Sequence, residues 1–528
     1  MNETVNEVLL DELDYFFSQL FLQRSYYQVG KVFNTKSKKY FYDTGTGKIF
    51  ESNDNLYGIL KIWESQKSYI PVRTLVTQYG IEIEAIGELE DFKQIILQEN
   101  ILQAKAVTKF DSPHLYQLEE SITSDLQLIT LELTEKCNLR CSYCIYGEMN
   151  CTFRGFGTKT MTFETAKKAI DYGKEHAGET FSLTFYGGEP LLEFDLLKKC
   201  VTYAQEQLAD RRLIFSVTTN LVLMTEEVAE YIAAIDDFYV VCSLDGPEDI
   251  HDEYRVYQNG KGSFQQVYQG LKTIVNAFGD DAENRMSFSM VLNRPYSIEK
   301  FDKIQAFFDE NPWIPQGAEK NVTYATYGRD QEGLTNIPKE DAIDLAEGEE
   351  ELILYDPLGD WNNRKVIKDV DESSKLFTSK RSTDDMYRIH NRRLTEEPVD
   401  NYSFNGCCIP GSRRLYVTVD GEFKLCERIG ESPKLGNVEK GIDLEYVREK
   451  YIEDYMTQSV KSCNDCWAVS MCGLCYTDSY DESNFRLDYK NELCESQRFQ
   501  LERALGQYHQ ILEEDPESLD YLNHIVMG

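Results

Sequence analysis

Between residues 128 and 292 five apolar runs recur, Leu128–Leu133, Phe181–Tyr186, Leu213–Thr218, Phe238–Ser243 and Met286–Leu292, with amphipathic helical patterns between them. Such alternation implies parallel strands joined by helical crossovers, hence an α/β fold that closes into a full or partial barrel. Functional groups are then expected at the C-terminal ends of the strands. The chain has 528 residues, too many for one compact core. At roughly 150 residues per domain it should hold about three or four units.

The cysteines divide the chain further. None of the 14 lies in the first 136 residues; four crowd at Cys137, Cys141, Cys144 and Cys151, and eight return between Cys407 and Cys494. The segment Met1–Asp14 is acidic, without a basic or an apolar targeting region, and no stretch reaches the roughly 18 apolar residues that span a bilayer. The expectation is a cytoplasmic protein with no membrane partner. A reducing compartment disfavours disulfides, so clustered thiols read as metal ligands. The net charge of −36, from 91 acidic and 55 basic residues, repels phosphate backbones, and nucleic acid is not expected as a partner.

Upstream, Tyr40–Asp43 and Lys48–Phe50 flank Gly45-Thr46-Gly47 and predict a hairpin. Asn53 and Asp54 then cap a helix with Leu56, Ile59, Leu60 and Trp63 on one face. This pattern resembles the small winged-helix-like module that binds leader peptides on many maturases. From about Asn336 to Asp400 the chain turns polar, with the acidic run Glu347–Glu351, and reads as a bridging insertion with a solvated face.

Glu135-Lys136-Cys137-Asn138-Leu139-Arg140-Cys141-Ser142-Tyr143-Cys144 follows a strand with the spacing CxxxCxxC. Three thiolates on one loop hold three irons of a 4Fe-4S cubane and leave the fourth iron open. This resembles the radical S-adenosylmethionine (SAM) signature, in which SAM fills the open position. Further elements resemble the same superfamily: Gly187-Gly188-Glu189-Pro190 near the SAM ammonium, Thr218-Thr219-Asn220 near the ribose and methionine moiety, and Ser243-Leu244-Asp245-Gly246 with Arg255. By that resemblance Ser243 and Arg255 hold the SAM carboxylate, for which a guanidinium is geometrically suited, and Tyr143 lies against adenine. Asp245 reads equally as a plain turn residue. Cys151, Cys200 and Cys242 read as ordinary core residues.

The later order of Cys408, Gly421, Cys426, Cys463-x-x-Cys466, Cys472, Cys475 and Cys494 resembles the SPASM extension of peptide maturases. The resemblance implies two auxiliary 4Fe-4S clusters. Cys463, Cys466, Cys472 and Cys494 would hold the distal one, and Cys408, Cys426 and Cys475 the inner one, with an iron left open. Only two residues separate Cys472 from Cys475 where the family has three, and Cys407 stands beside Cys408 as a further donor. Tetrahedral zinc competes for the same thiols.

The implied architecture is a partial (β/α)6 TIM-like barrel with flanking units: residues 1–110 leader recognition, 111–330 barrel, 331–400 bridging insertion, 401–528 SPASM. The implied function is oxidoreductase maturation of a ribosomally made precursor peptide, using three 4Fe-4S clusters, SAM and a low-potential donor such as flavodoxin or ferredoxin. The expected product is a cysteine thioether to carbon formed through a 5′-deoxyadenosyl radical. Carbon-carbon cross-linking, sulfatase-type formylglycine formation and a non-catalytic metal-stabilised scaffold remain alternatives.

Overall fold

The computed structural model describes residues 3–22, 30–66, 69–81, 85–148, 150, 153–292, 298–325, 378–404 and 406–524. The acidic run Glu347–Glu351 and Cys151 lie outside the described residues.

Near the N-terminus β1 (Gly30–Asn34), β2 (Lys39–Asp43) and β3 (Ile49–Ser52) form an antiparallel sheet. The predicted hairpin pairs Phe41 with Phe50 and Tyr42 with Ile49. Its turn is held by the Asp43 carboxylate, which accepts from Thr46 N (2.8 Å) and Thr46 Oγ1 (2.7 Å), and by Gly47 at φ +73°. Asn53 Oδ1 accepts from Leu56 N at 2.9 Å and starts the helix Asp54–Ser65, whose Leu56, Ile59, Leu60 and Trp63 are buried. That face packs on Leu13, Phe17 and Phe21 of the helix Glu3–Leu22 and on Leu89, Phe92 and Ile96 of the helix Ala85–Glu99, a core drawn from residues between Leu10 and Ala104.

The central sheet runs in sequence order through β4 (Leu126–Thr134), β5 (Ala177–Gly187), β6 (Arg212–Thr219), β7 (Phe238–Ser243), β8 (Met286–Leu292) and β9 (Glu319–Tyr324), every neighbouring pair parallel. In β8 the residues alternate between buried and half-buried, as strands between a core and a helical layer require. Crossover helices are capped as their sequences direct: Thr162 Oγ1 accepts from Thr165 N at 3.1 Å ahead of Phe163–His176. Cys200 and Cys242 are fully buried in this core.

Two edges extend the sheet. β10 (Thr378–Ser379) lies parallel to β9. On the other side β11 (Leu415–Val417) pairs in parallel with β4, Leu415 opposite Ile129, and continues antiparallel into β12 (Glu422–Lys424), β13 (Gly436–Asn437) and β14 (Gly441–Ile442). The described residues thus form an α/β fold around one large, mostly parallel sheet of 11 strands. Among the described residues no helix is long and apolar enough to cross a membrane.

Candidate active site

The loop Glu135–Cys144 leaves the C-terminal end of β4 and is fastened on both sides. Gly188 N donates to Thr134 O (2.8 Å) and Glu189 N to Lys136 O (2.9 Å), while Arg140 N and Ser142 N donate to Val256 O (2.7 Å) and Tyr254 O (3.0 Å). A Cβ on Gly187, at φ +137°, would meet Thr134 O at 2.4 Å, and one on Gly188 would meet Lys136 O at 2.1 Å. The two glycines therefore let the second strand end lie against the cysteine loop without an intervening side chain.

Cys137, Cys141 and Cys144 are all partly buried. Leu139 N donates to Cys137 Sγ at 3.4 Å, and Asn220 Nδ2 lies 4.0 Å from it. Burial pushes the Cys137 thiol up to about 12 and that of Cys141 up to about 11, so each stays protonated near neutral pH until a metal's charge displaces the proton.

Glu189, only 1% exposed, does not leave its carboxylate open to a ligand. Oε1 accepts from Leu191 N (3.0 Å) and Thr219 Oγ1 (2.8 Å), and Oε2 from Asn220 N (2.8 Å). It ties the β5 and β6 ends together and holds Asn220 in place. The Asn220 amide in turn donates to Asn138 Oδ1 at 2.7 Å.

At the end of β7 a buried polar network closes the site. The Tyr143 hydroxyl donates to Asp245 Oδ2 (2.5 Å) and accepts from Arg255 Nη1 (2.8 Å), and Asp245 Oδ1 accepts from Val291 N (3.0 Å). His251 Nδ1 accepts from Asp245 N (3.4 Å), its Nε2 meets Ser263 Oγ (3.1 Å), and Ser263 donates to Arg255 O (2.8 Å). Burial, reinforced by the neighbouring guanidinium, pushes the imidazole down to about 2, so it is neutral. Ser243 closes β7 opposite Ser289. Arg255 Nε is buried without a hydrogen-bond partner. A buried guanidinium N–H is costly to leave unmade, so an acceptor such as a carboxylate fits it. The three thiols, the glycine wedge and this unused N–H suit a 4Fe-4S cluster with SAM.

The eight later cysteines gather in two sets. In one, burial raises the Cys466, Cys472 and Cys494 thiols, with charge from Cys463 adding to each. In the other, Cys407 and Cys426 are raised by burial and by their shared neighbour Cys475. Cys408, the inner donor expected from the motif, is exposed, with Arg413 Nη1 at 3.8 Å from its sulfur; its neighbour Cys407 is the one turned inward, 4.0 Å from Leu474 O. Among the described residues no three His, Cys, Asp or Glu side chains converge on one metal-ion position. Zinc at a Zn–S distance of about 2.3 Å would draw four thiolates to within about 4 Å of one another.

Sequence reasoning did not give functional weight to His251, Ser263 or Lys490. Their spacing carries no signal, because their significance comes from burial beside the site.

The arrangement is that of an α/β protein carrying a three-thiol loop at the C-terminal edge of its sheet. Residues 131–308 match the family described as Radical SAM superfamily, and this part of the chain is a radical SAM domain. The chain is 27% identical to an uncharacterized protein of Methanocaldococcus jannaschii over 63% of this chain and 97% of that one. It is 28% identical to the cysteine-type anaerobic sulfatase-maturating enzyme of Clostridium novyi over 35% of this chain, and spans only 48% of that relative. The structure of native anSMEcpe with bound AdoMet and Kp18Cys peptide is similar in fold at 17% identity, covering 76% of this chain and 100% of that one with a TM-score of 0.53.

Proposed function

We propose that this chain is a radical SAM maturase that joins a cysteine sulfur to a carbon within a ribosomally made precursor peptide. The observation that carries the reading is the fastened Cys137/Cys141/Cys144 loop beside a buried guanidinium with an unused N–H. When bound and reduced, the cluster and SAM supply a 5′-deoxyadenosyl radical able to take hydrogen from an unactivated carbon. The three thiolates hold the cluster, Arg255 and Ser243 orient the SAM carboxylate, and Gly187 and Gly188 present backbone to the ligand. Glu189 acts one step back, as a positioning residue for Asn220.

A macromolecular substrate is supported by the relative from Clostridium novyi, whose name makes a sulfatase its target. The N-terminal sheet and helices are proposed to bind the leader, and the two later cysteine sets to hold auxiliary 4Fe-4S clusters fed by a low-potential donor. The inner set is assigned to Cys426, Cys475 and one or both of Cys407 and Cys408.

Anaerobic reconstitution tests this. About twelve irons per chain, falling to about eight with SAM cleavage lost in the Cys137→Ala/Cys141→Ala/Cys144→Ala variant, fit three four-iron clusters. About four irons plus zinc would remove the auxiliary clusters and the thioether chemistry with them. With the precursor, a product lighter by two hydrogens that also loses one alkylatable thiol marks a thioether. The same mass with every thiol retained would mark carbon-carbon cross-linking.

A further inference from the structure

Lys490 sits in the helix Leu487–Glu514, 4% exposed, and its ammonium lies against the Cys463 sulfur. Nζ donates to Ser459 Oγ at 2.6 Å and to Cys463 Sγ at 3.6 Å, and stands 4.7 Å from the centroid of the Tyr455 ring. The Lys490 backbone oxygen meets Cys494 Sγ at 3.4 Å. The ammonium charge also bears on Cys472, Cys494 and, across in the other set, Cys407.

Several cations of this chain that lie partly or wholly inside the fold have carboxylates, Arg388 with Asp385 at 3.0 Å, Arg414 with Glu427 at 2.5 Å and Arg154 with Glu132, and the buried Lys320 and Arg285 are met by backbone oxygens. Among the described residues no carboxylate lies within ion-pair distance of Lys490, although acidic residues outnumber basic ones 91 to 55. A hydroxyl and a ring face do not offset the loss of water around an ammonium, so a negative partner belongs in that space. Four thiolates outweigh the positive charge of an oxidised 4Fe-4S core and leave a buried anion, which gains a further negative charge on reduction.

We infer that Lys490 is the fixed counter-cation of the cluster held by Cys463, Cys466, Cys472 and Cys494, and that it makes that cluster easier to reduce. The inference rests on the cluster reading of the preceding section. A unit charge acting over roughly 6 Å at an effective dielectric constant of about 20 would shift a one-electron equilibrium toward the reduced form about a hundredfold.

The test uses the full chain bearing Cys137→Ala, Cys141→Ala and Cys144→Ala, reconstituted so that only the later cysteines carry iron, with redox titration followed by electron paramagnetic resonance. Lys490→Met is expected to lower the reduced-to-oxidised ratio at a given potential about a hundredfold, or to strip one cluster's iron, while Lys490→Arg keeps the parent's behaviour. A methionine variant that holds its full iron and titrates within about threefold of the parent overturns the inference, as does equal failure of the methionine and arginine variants. A parent with no reducible cluster overturns the cluster reading itself, a result told apart by its appearing before any change at Lys490.

Discussion

Replacing Arg255 by glutamine should separate the stability of the site from its affinity for SAM. The guanidinium is 7% exposed, donates to the Tyr143 hydroxyl at 2.8 Å, and is the cation that acts most strongly on Asp245, itself 1% exposed. Glutamine leaves the Asp245 carboxylate with the Tyr143 hydroxyl and Val291 N and with only the weaker charge of Lys300 acting on it. Losing the charged donor that reaches Asp245 through the Tyr143 hydroxyl costs about 1.5–3 kcal/mol. At roughly 2–4 °C per kcal/mol for a domain of about 150–250 residues, the apparent melting temperature falls by about 3–12 °C. Adding Asp245→Asn removes the stranded charge and should restore most of that loss. SAM affinity should not return, because a charge-assisted contact worth about 1.5–3 kcal/mol, roughly 10- to 150-fold in Kd, is missing from single and double variants alike. Calorimetric melting of the apo-protein and equilibrium dialysis of SAM against the reconstituted protein read the two effects separately. A double variant that binds SAM as tightly as the wild type would refute the role given to Arg255.

Two further perturbations test the scaffold. Gly188→Ala puts a methyl group 2.1 Å from Lys136 O, which forces the cysteine loop away from β5; iron analysis should show about four irons lost with the later clusters retained, and retention of all iron would contradict the close approach. His251 is pushed to about 2 from an ordinary 6.5, so below that ordinary value the unfolded chain takes up a proton the fold refuses. Stability should therefore fall as pH drops, by up to about 1.4 kcal/mol per unit, and His251→Gln should flatten the melting profile between about pH 6 and 5; an unchanged slope would show that the imidazole does not govern it.

The hairpin and the strands were legible because periodicity and turn chemistry act locally. Gly47 needs its positive φ, Asn53 caps its helix, and Phe238–Ser243 and Met286–Leu292 are strands with the bounds their apolar runs set. β9 was not read, since Glu319-Lys320-Asn321 presents charge where a central strand presents apolar residues; Lys320 is accommodated by backbone oxygens of Gln316 and Ala318. The motifs located Glu189 and Tyr143 but not what their polar atoms do. The carboxylate of Glu189 binds Leu191, Thr219 and Asn220, and the Tyr143 hydroxyl binds Asp245 and Arg255, partners that only folding brings together. Adjacent Cys407 and Cys408 could not be ranked from spacing, because which sulfur turns inward depends on the backbone around Leu474. Lys490 carries no sequence signal, as nothing local distinguishes a buried lysine from a solvated one.

The pairing of β11 with β4 also bears on how the protein is made. Ile129 and its partner Leu415 are nearly three hundred positions apart, so at about 5–20 residues per second the outer edge of β4 waits on the order of 15–60 s on the ribosome before its neighbour exists. During that interval an apolar strand bearing the cysteine loop presents unpaired backbone groups, a template for association with other nascent chains. Slower growth temperatures and holding chaperones should raise the soluble yield, and a chain ended before β11 should aggregate even though every strand from β4 to β9 is present. The cysteine-rich end is thus needed to finish the sheet whether or not it ever receives iron.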